Sequence, residues 1–276
     1  MDIALKYWTD VPNAGDLFSK DVAERYIGPV TARATGDPFG SINLMLIGSL
    51  MLWCDRDTVV CGSGMISPEI KPTAMPRKII AVRGPRTRAE LLKLGADVPE
   101  RFGDAGLLAG EFATPGVAQT HDYGVILHHS EQRWYRNFGR GWLRKRDDTL
   151  YIDIRQDAVS VFDAIQRCGA IFSSSLHGLI FAHALGKPTT WVKCTELVGD
   201  TFKFYDYFDS IGVEESAVQP ERIVGTADMR KLCDRARAFD VAPFLPKVRT
   251  NLEETRDYFA AAEVNGTAGR IHQAVT

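Results

Sequence analysis

No charge of either sign is in excess in this chain: 33 lysines and arginines stand against 35 aspartates and glutamates, a formal net charge of −2. A general nucleic-acid binder needs a strong basic excess to neutralise phosphates, so nucleic acid is not an expected partner. Paired cysteines are lacking too. Cys54, Cys61, Cys168, Cys194 and Cys233 are odd in number, none is spaced C-x-x-C, and most sit in apolar surroundings such as TVVCGSG and RCGAIFSSS. A secreted disulfide frame and a zinc site are both disfavoured, and a reducing cytoplasm is the simplest setting. Long apolar runs are also missing. A long stretch free of charge lies between Asp37 and Asp55 and is interrupted by Pro38, Gly40, Ser41, Asn43, Gly48 and Ser49. NLMLIGSLMLW within it reads as a buried helix and not as a membrane span. MDIALKYWTD has an acid at position 2 and no apolar run of leader length, so no secretory leader is expected. What is present is ordinary for a globular chain of 276 residues: 45% hydrophobic and 25% charged. That length allows one large domain or two modest ones, each with a real core.

Strand-like and helix-like segments alternate along the chain. IALKYW reads as a first strand, and LFSKDVAERYI as a helix with Leu17, Val22 and Tyr26 on one side. TVVCGSG and KIIAVRG read as buried parallel strands with their turns, and PRTRAELLKLG as a helix opened by Pro85 and closed by Gly95. GEFATPGVAQTHD, small and polar, reads as a linker. Beyond it YGVILHH, LYIDI, AIFSSS and PTTWVK read as strands. DAVSVFDAIQRCG reads as a helix with Val159, Phe162, Ile165 and Gln166 on one face, and LHGLIFAHALG as another helix. This alternation predicts an α/β fold of βαβ units, arranged as two Rossmann-like domains facing a cleft. The expected boundaries are 1–115, 120–245, and a C-terminal helix and tail over 246–276 that packs back on the first domain.

In open α/β sheets, ligands bind on the loops at the carboxyl ends of strands. Five segments fall there: Asn13 to Asp16, Gly62 to Gly64, Arg83 to Arg88, His128 to Glu131, and Ser174 to Gly178. Each has a bland alternative. Gly62-Ser63-Gly64 can be a tight turn. Asn13 and Asp16 around Gly15 can cap a helix, and His177 can be a satisfied core histidine. Arg86 and Arg88 can be solvated helix charges. Arg83 abuts its strand directly, where a guanidinium is well placed to hold a carboxylate or phosphate. His129 would point away from His128 in a continuing strand, and His183 reads as packing. No clustered metal-ligand set is apparent.

Taken in order, NAGD, CGSGMI, IIAVRGPRTRAELLKLG, FGDAGLL, SSSLHGLIFAHALGKP and KFYDYFDSIGV resemble the polysaccharide pyruvyl transferase family over roughly residues 7 to 213. The resemblance implies a two-domain fold like that of the cleft-forming GT-B glycosyltransferases. It also implies transfer of the enolpyruvyl unit of phosphoenolpyruvate onto a sugar, giving a pyruvate ketal with release of phosphate and no further cofactor. The donor carries a carboxylate and a phosphate, so Arg83, assisted by Arg86 or Arg88, and the loop donors of Ser175, Leu176 and His177 are the expected anion holders. Asn13, Gly15, Asp16, Gly62, Ser63 and Gly64 are the expected acceptor-side residues. His177 is the expected proton shuttle, as a group titrating near neutral pH, with Asp16 as a base and His128 as a third candidate.

RWYRNFGRGWLRKR interleaves Arg133, Arg136, Arg140, Arg144, Lys145 and Arg146 with Trp134, Tyr135, Phe138 and Trp142. Its composition suits an anionic membrane surface or a diphosphate-lipid carrier, or else a loop whose aromatics pack on the domain. The expectation is therefore a lipid-linked or polymeric saccharide acceptor, met in the cytoplasm at the inner face of the plasma membrane. A nucleotide-sugar glycosyltransferase and a non-catalytic saccharide-binding assembly protein are the competing readings.

Overall fold

The computed structural model describes residues 3–34, 42–131, 147–219 and 236–274; residues 133–146, the basic aromatic segment, lie outside them. The described residues form an α/β structure with two wholly parallel sheets. The first is five-stranded, in the order β2-β1-β3-β4-β5. Its strands are β1 (Ile3–Tyr7), β2 (Val30–Ala34), β3 (Asn43–Met45), β4 (Thr58–Cys61) and β5 (Lys78–Ala81). The second is four-stranded, in the order β7-β6-β8-β9, from β6 (His121–Leu127), β7 (Thr149–Asp153), β8 (Cys168–Ser173) and β9 (Thr189–Trp191). Parallel neighbours need crossovers. Among the described residues helices form these crossovers: α1 (Ala14–Tyr26) between β1 and β2, α3 (Ala158–Gln166) between β7 and β8, and α4 (Leu176–Ala184) between β8 and β9. The other described helices are α2 (Pro85–Lys93), α5 (Phe202–Ile211) and α6 (Leu245–Ala274).

In each sheet the order reverses at an interior strand. β1 has β2 on one side and β3 on the other, and β6 has β7 and β8. Such a reversal opens a crevice beyond the carboxyl ends, where the two adjoining loops diverge. The loops at these two points are those after β1 and β3, and those after β6 and β8.

Two expectations from the sequence are corrected. NLMLIGSLMLW is not a helix. Asn43–Met45 is a strand hydrogen-bonded on both sides, to β1 and β4, and Met51–Trp53 is a single 3₁₀ turn. An interior parallel strand is apolar on both faces, so its sequence mimics a buried helix; Gly48, at φ 111°, then turns the chain. The buried helix faces also differ from those expected. In α1 the row is Ala14, Phe18 and Val22, with Leu17 and Tyr26 half-buried. In α3 it is Ala158, Val161, Phe162 and Ile165, while Val159 is exposed.

One apolar cluster runs through both halves. Phe18 of α1 meets Phe112, Phe162 of α3 and Phe181 of α4 edge-on, with ring centroids 4.9, 5.1 and 5.8 Å away. Helix α6 returns to the first sheet through Val248, Leu252 and Phe259 of the same cluster. Its Arg249 Nη2 also donates to Glu111 at 2.7 Å. Exposed ion pairs of this kind contribute at most about 1 kcal/mol, less than burial of the three apolar side chains. Arg249→Ala is therefore expected to lower stability to urea by no more than about 1 kcal/mol. A larger shift would show that the ion pair docks the helix.

Candidate functional site

Asn13 caps α1: its side-chain oxygen accepts from the Gly15 N–H at 2.9 Å. The cap sets Gly15 and Asp16 in the first turn of α1, both buried, directly after β1. His177 occupies the first turn of α4, after β8. The two helix starts abut. A Cβ on Gly15 would lie 2.0 Å from His177 Nδ1, so only glycine admits the ring. Gly48, from the loop after β3, closes on the same place, with its Cβ position 3.0 Å from Asp16 Oδ1. The structure thus brings Asn13, Gly15, Asp16 and His177 together from two loops far apart in sequence. Ser175 is the N-cap residue of α4 without a side-chain cap bond, and it is buried with Leu176.

His128 follows β6 and reaches the same cluster: its Nε2 lies 3.5 Å from Lys203 Nζ. The strand ends at Leu127, and a 3₁₀ turn over His129–Glu131 replaces the continuing strand assumed for His129. Both rings therefore lie side by side, with centroids 4.2 Å apart, and His129 Nδ1 comes within 3.5 Å of Asn13 Nδ2.

Arg83 is fully buried and its fork is engaged. Nε donates to Asp206 Oδ2 at 3.0 Å, Nη1 to Ser49 Oγ at 2.7 Å and Nη2 to the Met65 carbonyl at 2.7 Å. A Cβ on Gly64 would stand 2.5 Å from its Cζ. Asp206 also accepts from Thr87 N–H at 2.8 Å and Thr87 Oγ1 at 2.7 Å. Arg83 thus ties the loops after β3 and β4 to α5. Ser63 braces the same loops, donating to the Gly48 carbonyl at 3.0 Å, and Gly62 turns at φ 97°. Arg86 and Arg88 are not gathered in: Arg86 Nε donates to Asp209 at 2.7 Å and Arg88 Nε to the Val98 carbonyl at 3.1 Å. His183 is a packing residue, between Tyr207 Oη at 2.9 Å and Thr189 Oγ1 at 2.7 Å.

Two residues of the cluster were not singled out from the sequence. Lys203 sits near the start of α5, 7% exposed, with no carboxylate of the described residues within 4.0 Å of its ammonium. FKFYDYF sets a lysine and an aspartate three apart among aromatics, a spacing that turns both inward on a helix; that was the available signal. Asp104 is the N-cap of a 3₁₀ segment, Ala105–Glu111, with Oδ1 accepting from Gly106 N–H at 2.8 Å. Among the described residues its Oδ2 has no hydrogen-bond partner, and neither does His177 Nε2, 3.9 Å away.

Burial dominates the electrostatics. It pushes Asp16 up to about 7, with the Lys203 charge opposing and Asp104 adding. Asp104 rises to about 6. Lys203 is drawn down to about 8, mainly by burial and then by Arg83. Burial, with the Lys203 and Arg83 charges, draws His177 down to about 3. His128 falls to about 2, by burial and then Lys203. His177 is therefore a neutral imidazole at physiological pH, and not the near-neutral titrating group expected. Asp16 takes that place. A buried ammonium beside a carboxyl titrating near neutrality and a neutral imidazole can hold an anion and move a proton next to it.

Among the described residues no group of three or more His, Cys, Asp and Glu side chains is set to hold a metal, and no helix is long and apolar enough to cross a membrane. The profile of the polysaccharide pyruvyl transferase family matches residues 52–195, a span containing Arg83, Asp104, His128 and His177. An uncharacterized protein of Acanthamoeba polyphaga mimivirus is 32% identical over 221 residues, covering 77% of this chain and 76% of the relative.

Proposed function

Since the chain belongs to the polysaccharide pyruvyl transferase family, we propose that it transfers pyruvate from phosphoenolpyruvate to two hydroxyls of a sugar in a lipid-linked or polymeric saccharide, releasing phosphate. The observation that carries this reading is the buried Lys203 ammonium, beside Asp16 and His177 and with no carboxylate of the described residues within 4.0 Å. Lys203 and the first N–H groups of α4 hold the donor's negative groups. Asp16, ionised, takes the proton of the attacking sugar hydroxyl. The new bond forms at C2 of the enolpyruvyl unit while its methylene carbon receives a proton from the imidazole of His177. The anionic donor offsets the Lys203 and Arg83 charges that disfavour protonated His177, so the ring is easier to charge once the donor is bound. The second hydroxyl then displaces phosphate from C2 and closes the ketal; its proton passes to the now neutral imidazole of His177, and the proton held by Asp16 leaves with the departing phosphate. The donor supplies the reacting group, and no other cofactor enters.

The two parallel sheets, with both reversal points meeting at one cluster, support a Rossmann-like pair of halves in a GT-B-like arrangement. The basic aromatic residues 133–146 are assigned, on composition, to an anionic lipid surface or lipid-linked acceptor at the cytoplasmic face of the membrane.

Lys203→Gln is the test. A charge-assisted bond contributes about 1.5–3 kcal/mol, so KM for phosphoenolpyruvate is expected to rise on the order of 10- to 100-fold with the fold retained. The assay is acceptor-dependent phosphate release, with the product checked by mass. An unchanged KM would remove Lys203 from the site. Wild-type protein that ignores phosphoenolpyruvate over a broad acceptor panel, yet turns over a sugar nucleotide, would overturn the donor.

The pH dependence follows from the same groups. The step needs Asp16 ionised with His177 and Lys203 protonated, and burial sets the first two in reverse order, Asp16 at about 7 and His177 at about 3, so kcat/KM is expected to be level between those values, to fall above about 7 and to fall more steeply above about 8. Asp16→Asn should turn the level region into a continuous fall and lower the rate; a profile identical in shape to wild type would remove Asp16 as the base.

A further inference from the structure

We propose that Asp104 is a positioning residue for His177, holding the proton on Nε2 and leaving the lone pair of Nδ1 toward the start of α1. As a role in catalysis this rests on the pyruvyl-transfer reading; as a statement about the imidazole it does not. Two buried polar atoms without partners, one an acceptor and one able to donate, face each other across 3.9 Å. Buried polar groups without partners are costly, and few are retained without a use. The gap is too long for a hydrogen bond and too short to admit a water between them. A small side-chain rotation closes it. The other carboxylate oxygen cannot turn toward the ring, because Oδ1 already accepts from Gly106 N–H. The ring is also held in plane, stacked on Phe181 at 5.9 Å and pressed against Gly15 at its Nδ1 edge.

A carboxylate opposite Nε2 selects the tautomer protonated there. Nδ1 is then the working nitrogen, next to Gly15 and Asp16. When Nδ1 takes up a proton, Asp104 lies in line to stabilise the imidazolium. At neutral pH Asp104 is largely ionised, its value standing at about 6 despite burial because the Gly106 N–H and Arg83 oppose the desolvation.

The experiment is nitrogen NMR of the full chain labelled at histidine, with the His177 signals assigned by their loss in His177→Gln. In the wild type the proton is expected on Nε2. Asp104→Asn keeps Oδ1 on the Gly106 N–H, so its amide turns a donor toward Nε2 and should move the imidazole proton to Nδ1. The same variant should lose on the order of 10²-fold or more in kcat, with KM for phosphoenolpyruvate little changed. A wild-type proton on Nδ1, or a tautomer that Asp104→Asn leaves unaltered, would overturn the proposal. If Asp104→Asn does not fold, the wild-type spectrum alone decides it. If the tautomer switches but no phosphoenolpyruvate activity exists in the wild type, the reaction is wrong and the pair stands.

Discussion

His177→Gln is expected to keep the fold and lose on the order of 10²- to 10⁴-fold in turnover. The fold should survive because the imidazole makes no hydrogen bond that holds other elements: Nε2 lacks a partner, and the ring is kept by packing against Phe181 and Gly15. Glutamine fills similar space but cannot carry a proton to carbon. In the proposed reaction turnover should fall because a carbon, the methylene of the donor, has to be protonated, and the variant has no acid placed to do it. Far-ultraviolet circular dichroism and the melting curve report the fold, and acceptor-dependent phosphate release reports the rate. A variant turning over at the wild-type rate would sink the assignment of His177. His128→Gln serves as the contrast. That ring stands behind Lys203 at 3.5 Å, and a glutamine can still accept from the ammonium, so the loss should stay below about 10-fold.

Arg83→Met is expected to lower stability by about 3–5 kcal/mol. Both partners of the Arg83–Asp206 pair are fully buried, so removing the guanidinium strands a carboxylate away from water. The Ser49 hydroxyl and the Met65 carbonyl lose their donors at the same time. Arg83→Lys should recover little, because one ammonium cannot reach three acceptors held in a fork geometry. Arg83→Met combined with Asp206→Leu should recover only part of the loss, since it removes both charges but leaves Thr87, Ser49 and the Met65 carbonyl without their partners. Urea unfolding of the three variants measures this. If Arg83→Met costs under about 1 kcal/mol, the pair does not hold the loops as described. The outcome also governs how donor binding in Arg83 variants is read: affinity lost together with stability reflects loops released from α5, whereas affinity lost alone would mark a guanidinium that touches the donor.

The α/β character was legible because parallel strands, buried on both faces, leave short β-branched runs such as TVVC and KIIA between helix-spaced segments. β3 was hidden by that same property: with both faces buried its apolar run has no period of two. β2 was not signalled at all, since VTARA carries a cation and pairs on one side only, with β1. Of the site, the loops after β1 and β8 could be found because Asn13 to Asp16 and Ser174 to Gly178 follow strands and open helices. Lys203 and Asp104 could not be found in the same way. Their importance comes from burial and from what faces them, a buried ammonium with no carboxylate of the described residues within 4.0 Å and a carboxylate oxygen opposite His177, which arise only when distant segments meet. Arg83 was found for its place after β5, but its hydrogen bonds depend on Asp206, 123 residues further on. The titration behaviour of His177 escaped for a related reason: composition shows a histidine, whereas the charges that hold it neutral belong to Lys203 and Arg83 in other elements.

The ring cluster of Phe18, Phe162 and Phe181 sets a limit on how substrate gains entry. These side chains belong to α1 on one side and to α3 and α4 on the other. Swinging the halves apart like a clamshell would return the three rings to water, at about 1.5–3 kcal/mol each. The rings thus act as a rivet that fixes the start of α1 against the start of α4, where Gly15 and His177 abut. For the proposed pyruvyl transfer this means that donor and acceptor enter from the rim and leave by the same opening, so egress of a saccharide product, and not a closing motion, is the expected bottleneck.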